Sequence, residues 1–281
     1  MEWDAFIHTK GESALDTATL SMFRGIRCFL LDMDGTFYLG DALLEGSLNF
    51  LEALRRTNRK ALFLTNNSSK DSRAYVEKLR RMGVTDPFLG VYTSGQAAGR
   101  YALASLPGKR AFLLGNAHLR AELTAMGVPL ADDSPDYVLV GFDTTLDYAK
   151  MTRVCDLVRA GLPYIATHPD FNCPTEAGFI PDIGAIIAFI EASTGRRPDT
   201  VIGKPFRGIV DGALALTGVP AGETAMVGDR LYTDIATGLN FGMTSILVLT
   251  GEATMADVHA SPIRPHLIFD RLSDIIPYLD I

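Results

Sequence analysis

Residues 29–40 read FLLDMDGTFYLG. The apolar start belongs to a longer run, IRCFLLD over 26–32, of the kind that forms a strand covered on both faces. The run stops at two aspartates, Asp32 and Asp34, with one residue between them and a glycine and a threonine after them. In an open parallel sheet, ligands bind in the crevice beyond the carboxyl ends of the strands. Side chains two apart on a strand point the same way, roughly 6–7 Å apart, so both carboxylates can face one small substrate. Two carboxylates that close oppose each other's ionisation. A divalent cation neutralises them and draws in a phosphate. Gly35 lets the chain turn sharply, and Thr36 offers a hydroxyl to lock the turn. A strand-end cap followed by an ordinary Asp-Gly turn would explain the same residues without chemistry.

The rest of the chain repeats the pattern. Short β-rich runs recur at 61–65, 111–115, 137–141, 164–167, 200–203, 224–229 and 244–250, each followed by an amphipathic stretch. That alternation predicts βα units on a parallel sheet, an α/β fold. SLNFLEALRR places Leu48, Leu51 and Leu54 at helical spacing, and SRAYVEKLRRMG does the same for Tyr75, Val76 and Leu79. Gly83, Gly161 and Gly218 suit the position just past a helix end. From about 109 to 197 three strands and their helices form a block, and the chemical motifs fall before it and after it. This predicts a core domain over 1–108 and 198–281 with a second domain, 109–197, inserted into one of its loops.

Three more strand ends carry chemistry. The run ALFLT ends in Thr65-Asn66-Asn67-Ser68-Ser69, a hydroxyl, two amides and main-chain N–H groups suited to phosphoryl oxygens. Ser69 or Asp71 can serve as a helix cap there, but Thr65 sits earlier, where no cap is needed. TVIG ends in Lys204-Pro205, a fixed positive charge for a phosphoryl group. AMVGD ends in Asp229, a third carboxylate for the cation, and Asp234 follows five residues later. Asp234 reads equally well as a charge favoured at a helix N-terminus.

In chain order these are DxDGT, a strand-end Thr, Lys-Pro and GDxxxxD. The chain resembles the haloacid dehalogenase superfamily of phosphohydrolases in all four motifs and in their order. DMDGTFYLG, LTNNSS, ATHPD, GFIPDIGAI, IGKP and VGDRLYTDI resemble its class IIA, the NagD-like or 4-nitrophenylphosphatase-like phosphatases. The resemblance implies a Rossmann-like parallel-sheet core with an inserted α/β cap of the C2 type, where the block 109–197 lies. It implies that Asp32 attacks phosphorus and forms an aspartyl phosphate, and that Asp34 protonates the leaving oxygen and then activates water. Mg²⁺ suits the site, held by the Asp32 carboxylate, the Asp34 main-chain carbonyl and the Asp229 carboxylate. Asp234 would orient a bound water or hold Lys204. Thr65, Asn66 and Lys204 would hold the phosphoryl oxygens. The dehalogenases that name the superfamily do not use this metal-binding, second-aspartate arrangement, so a carbon–halogen reaction is set aside. The polar loop 167–185 matches the one that faces the leaving group in related phosphatases. Asp170, Phe171, Asn172 and Cys173 are its candidates for specificity, with the reading as a surface loop standing beside each. His168 lies near that loop, and His8, His118, His259 and His266 read as surface or packing residues.

Composition bounds the remaining choices. A chain of 281 residues and 30.4 kDa accommodates two ordinary domains, and 47% hydrophobic with 21% charged residues makes it globular. A net charge of −7 disfavours nucleic acid and anionic membrane surfaces as partners. The three cysteines are widely spaced and form no CxxC, which argues against disulfides or zinc and fits a reducing cytoplasm. No apolar run reaches the roughly 18 residues of a spanning helix. The first 23 residues lack the apolar stretch of a signal peptide and read as a short helical extension packed on the first domain. The expected partner is a small phosphorylated metabolite, with pairing of two copies through the cap as caps of this kind often do. A phosphotransferase or a non-catalytic phosphometabolite-binding protein remains as the alternative.

Overall fold

The structure, a computed structural model, describes residues 17–85, 90–175 and 178–280. The strands in chain order are β1 (Cys28–Leu31), β2 (Tyr38–Leu39), β3 (Ala42–Leu43), β4 (Lys60–Thr65), β5 (Gly90–Thr93), β6 (Ala111–Leu114) and β7 (Tyr137–Val140). They continue as β8 (Tyr164–Ala166), β9 (Asn172–Thr175), β10 (Gly178–Pro181), β11 (Thr200–Val201), β12 (Thr224–Gly228), β13 (Thr244–Val248) and β14 (Leu267–Phe269). The chain divides into two compact units. One comprises the described residues of Met1–Leu64, Val76–Val91 and Ala213–Ile281; the other comprises Thr65–Tyr75 and Tyr92–Gly212.

A six-stranded sheet runs in the order β14-β13-β12-β1-β4-β5. β1 pairs in parallel with β12 on one side and β4 on the other, so it is central. That explains its composition. Cys28, Phe29, Leu30 and Leu31 are all fully buried, because helices cover both faces of a parallel sheet. Phe29 meets Phe50 edge-on, with ring centroids 5.6 Å apart. Phe50 belongs to α2 (Ser47–Arg56), which follows α1 (Thr17–Gly25). The buried residues of α2 include Phe50, Leu51 and Leu54, while Leu48 is exposed. The spacing rule identified the helix and set Leu51 and Leu54 on its inner face; of the three leucines it named, only Leu48 lies outside. Of the proposed extension, residues 1–16, His8 among them, lie outside the described residues. α1 packs through the buried Phe23, whose ring stacks on Tyr278 at 5.1 Å and meets Phe269 of β14 edge-on at 6.2 Å.

The second sheet has four parallel strands in the order β11-β8-β7-β6. Its strands span 111 to 201, so it takes in Thr200–Val201, which the sequence places after the inserted block. Alternation of βα units does not say which sheet a strand joins; the hydrogen bonds of β11 to β8 do. The edge strands β5 and β14 and the two hairpins, β2–β3 and β9–β10, have two to four residues each and are too short for a periodicity to show.

In the second unit a buried carboxylate ties helices together. Glu122, on α5 (Ala117–Ala125), accepts from the main-chain N–H of Ser72, the first residue of α3 (Ser72–Arg81), at 2.9 Å. It also accepts from Thr93 Oγ1 at 3.1 Å, and Thr93 caps α4 (Ser94–Ser105). Burial pushes the Glu122 carboxyl above its ordinary value of 4.5, against the hydrogen bonds that lower it. A carboxyl whose folded-state value is raised binds its proton more tightly in the folded than in the unfolded state. Stability therefore falls as the pH rises from about 4.5 through the folded-state value. Glu122→Gln removes that linkage. The wild-type melting temperature minus that of Glu122→Gln should fall as the pH rises from about 4.5. A difference independent of pH in thermal unfolding would show that Glu122 does not titrate as its burial dictates.

Candidate active site

β1 and β12 are neighbours, and the chain leaves both at their carboxyl ends in aspartates. The main-chain N–H of Asp32 bonds to Val227 O at 2.9 Å, which extends the β1–β12 ladder one residue past the strand. This sets Asp32 beside the turn that carries Asp229. One carboxylate oxygen each from Asp32, Asp229 and Asp234 lie within 4.8 Å of one another. Asp229 is 2% exposed and Asp234 fully buried. The set is all oxygen, the donor chemistry of a hard divalent cation, and it needs such a charge. At an effective dielectric of about 20, each pair of carboxylates at this separation repels by roughly 3–4 kcal/mol. These residues fit Mg²⁺. Asp234 stands in the cluster itself, closer than the outer position that the sequence reading gave it. It reaches there from a single π-helical turn, Leu231–Ile235.

The Asp34 carboxylate is not part of the cluster. β1 ends at Leu31, so the two-residue alternation of a strand no longer governs Asp34. Its Oδ2 is 3.4 Å from the Tyr38 hydroxyl. The turn between them is closed by three N–H groups, those of Thr36, Phe37 and Tyr38, on the carbonyl of Met33. Gly35 adopts φ +84°, and a Cβ there would stand 2.5 Å from Asp229 Oδ2. Thr36 Oγ1 donates to Asp229 Oδ1 at 3.2 Å, and Thr250 Oγ1 donates to Gly35 O at 2.7 Å. The main-chain N–H of Glu252 donates to Asp229 Oδ2 at 2.7 Å. The Thr36 hydroxyl, expected to lock the turn, thus holds the Asp229 carboxylate, and the turn is closed by main-chain N–H groups, its own among them. A Cβ on Gly228 or on Gly251 would collide with the carboxylates of Asp234 and Asp229 respectively. Gly251 and Thr250 follow a strand that the sequence makes plain, but nothing in their own pattern marks them as neighbours of Asp229.

The other sequence candidates lie in the second unit. Thr65, the last residue of β4, is buried, and its Oγ1 accepts from Asn67 N–H at 3.1 Å. Lys204 is 2% exposed. Asn66 grips its main chain. Asn66 Oδ1 accepts from Lys204 N–H at 2.7 Å, and Asn66 Nδ2 donates to Lys204 O and to Asp170 Oδ1, each at 3.0 Å. A donor and an acceptor of one residue fix the amide's orientation. Both amide N–H groups are used, so any contact from Asn66 to a phosphoryl oxygen falls to its main-chain N–H. Asp170 is 6% exposed and belongs to this buried group, whereas Phe171 is 62% exposed. Asn172 is exposed too, and both it and Cys173 lie on β9. Cys173 is half-buried, with Asn67 Nδ2 3.5 Å from its sulfur. His118 and His259 lie on helices, and His266 Nδ1 accepts from Ser245 N–H at 3.0 Å, a packing role.

Comparison with known proteins decides the family. A family described as haloacid dehalogenase-like hydrolase matches residues 29–129, and one described as HAD-hydrolase-like matches 201–275. The acid sugar phosphatase of Staphylococcus aureus is 37% identical over 255 residues, 90% of this chain and 98% of its own. The chain belongs to the haloacid dehalogenase-like hydrolases. Within them it falls in the NagD-like, 4-nitrophenylphosphatase-like branch. The crystal structure of a 4-nitrophenylphosphatase from Thermotoga maritima superposes with a TM-score of 0.88 at 48% identity, over 91% of this chain and 98% of that one. A glycerol phosphate phosphatase from Mycobacterium tuberculosis, crystallised with magnesium, gives a TM-score of 0.82 at 32% identity, over 92% of this chain and 77% of that one.

Gly251→Ala should displace the Asp229 carboxylate without adding or removing a ligand. Losses of this supporting kind cost about 10–100-fold in metal affinity. The variant should keep its circular dichroism spectrum and need that much more Mg²⁺ for half-maximal activity. An unchanged Mg²⁺ requirement would mean that Asp229 does not hold the ion.

Proposed function

We propose that this phosphoric monoester hydrolase is a Mg²⁺-dependent phosphatase of small phosphate esters that works through an aspartyl phosphate on Asp32. The observation that carries the proposal is the convergence of Asp32, Asp229 and Asp234 at the ends of adjacent strands. The Asp32 carboxylate attacks phosphorus in line, and the ester P–O bond breaks. Asp34 gives a proton to the departing oxygen, then takes one from the water that hydrolyses the acyl phosphate, which restores both carboxyl groups. The Tyr38 hydroxyl, 3.4 Å from Asp34 Oδ2, helps hold that side chain in place. Lys204, the Thr65 hydroxyl and the main-chain N–H of Asn66 hold the phosphoryl oxygens. When bound by Asp32, the Asp34 carbonyl and Asp229, with Asp234 beside them, Mg²⁺ supplies charge neutralisation at the phosphoryl group.

The core domain is 1–108 with 198–281, and the block 109–197 is the cap, extended by β11 because of its pairing. The cap meets the leaving group. Phe171 and Asn172 are exposed, and this reading assigns them the contact with a sugar or polyol. Asp170 and Cys173 bond instead to the Asn66-Asn67 turn. The names of the relatives, an acid sugar phosphatase and a glycerol phosphate phosphatase, favour hydroxylated esters as substrates. Among the described residues no helix is long and apolar enough to cross a membrane, and the cytoplasm is the proposed compartment, with two copies pairing through the cap.

EDTA should abolish turnover of 4-nitrophenyl phosphate, and Mg²⁺ should restore it. Asp32→Asn should remove turnover and any trapped phosphoenzyme. Asp34→Asn should still release nitrophenolate once, since that leaving group needs no acid, and then stall as the phosphoenzyme. Phosphoenzyme from Asp32→Asn, seen by acid quench and mass spectrometry, would exchange the two roles.

A further inference from the structure

Thr167, His168, Ser94 and Ser68 are fully buried, and the reaction above uses none of them. His168 Nε2 lies 3.0 Å from Asp182 Oδ1, and His168 Nδ1 lies 3.0 Å from Thr167 Oγ1. Thr167 Oγ1 is 3.0 Å from Ser68 Oγ, which accepts from the main-chain N–H of Phe142 at 2.9 Å. Asp182 caps α7 (Ile183–Thr194). The proton count closes with one proton on the imidazole, at Nε2. Ser68 then donates to Thr167, Thr167 to Nδ1, and Nε2–H to the Asp182 carboxylate. Ser68 and Thr167 then each donate once and accept once. Such a chain has one consistent direction, and it fixes the rotamers along it.

Two contacts connect this chain to Lys204. Ser94 Oγ, 3.4 Å from His168 Nδ1, donates to the main-chain oxygen of Asn66, the residue whose amide grips Lys204. Thr167 O accepts from the N–H of Gly203, the residue before Lys204, at 2.7 Å. Gly203 has no room to shift: a Cβ there would stand 2.6 Å from Asn66 Oδ1 and 2.8 Å from His168 Cβ. The imidazole thus backs the Ser94–Asn66 support of the lysine by its contact with Ser94, while the Gly203 support comes from the Thr167 carbonyl and the His168 Cβ.

We propose that His168 is a positioning residue for Lys204, held in one orientation by Asp182 and Thr167 and acting through Ser94 and Asn66. The proposal rests on the role given to Lys204 above. An imidazole with a purely structural part would lower stability when removed and leave the turnover of folded enzyme alone. A mis-set lysine instead costs transition-state stabilisation, and misplacement by about 1 Å can cost about a hundredfold.

The test is steady-state kinetics on 4-nitrophenyl phosphate, scaled to folded protein, for His168→Ala, His168→Asn, Lys204→Met and the double variant His168→Ala/Lys204→Met. His168→Ala should lower kcat about 10–100-fold with a smaller change in KM. Asn offers one donor and one acceptor and should recover most of the loss. On the Lys204→Met background, His168→Ala should cost nothing further. An unchanged kcat in folded His168→Ala, or a loss that adds in full to that of Lys204→Met, overturns the proposal. Wild-type turnover by Lys204→Met alone overturns the role of the lysine itself, and the proposal with it. Should His168→Ala fail to fold, Ser94→Ala, which removes the hydroxyl between the imidazole and Asn66, takes its place with the same readings.

Discussion

Three carboxylate oxygens from Asp32, Asp229 and Asp234 lie within 4.8 Å of one another, and two of the three side chains are almost wholly buried. Like charges so placed repel, and removal from water adds to the cost. A fold that keeps such a cluster must hold it by force of packing until a cation and a phosphate arrive. The local architecture of the first unit answers that requirement. The cluster stands at the ends of two fully buried strands, whose ladder fixes the distance between Asp32 and Asp229. Thr36 and the N–H of Glu252 take up both oxygens of Asp229, and the N–H of Arg230 meets Asp234 Oδ2 at 3.2 Å.

Room for the carboxylates comes from residues that lack a side chain. Gly35, Gly228 and Gly251 each abut one of them so closely that a methyl group would not fit. Only Gly35 also needs its left-handed backbone. The other two are glycines because of what stands next to them, which is a tertiary reason. The same holds in the second unit, where Gly203 is pressed between Asn66 and His168. Rigid placement of charged groups requires close backbone approach, and close approach requires the absence of Cβ.

The second unit handles its buried polar groups differently. There the Asn66 amide bonds to Asp170 and to the main chain of Lys204, and an imidazole and a main-chain N–H bond to Asp182. Removing one partner from a buried network leaves another unpaired, at about 1–3 kcal/mol each. Such a network holds its members in one arrangement, which is what the phosphate-binding role proposed for Lys204 requires.

By itself the sequence determined the α/β class, the positions of the eight principal strands and the identity of the residues that end them. Those features are local: a strand covered on both faces must be continuously apolar, and a carboxylate after it has few other reasons to be there. Asp32 and Asp229, which the structure brings into one cluster, were legible for that reason, and the order of the four motifs carried the family. Tertiary structure alone decided the rest. It put β11 in the second sheet, brought Asp234 into the carboxylate cluster, turned the Asn66 amide onto Lys204 and buried Asp170 beside it. Each of these depends on a partner more than sixty residues away or on which sheet a strand joins. Neither spacing nor composition encodes a hydrogen bond between segments so far apart; only the closure of the chain on itself brings donor and acceptor together.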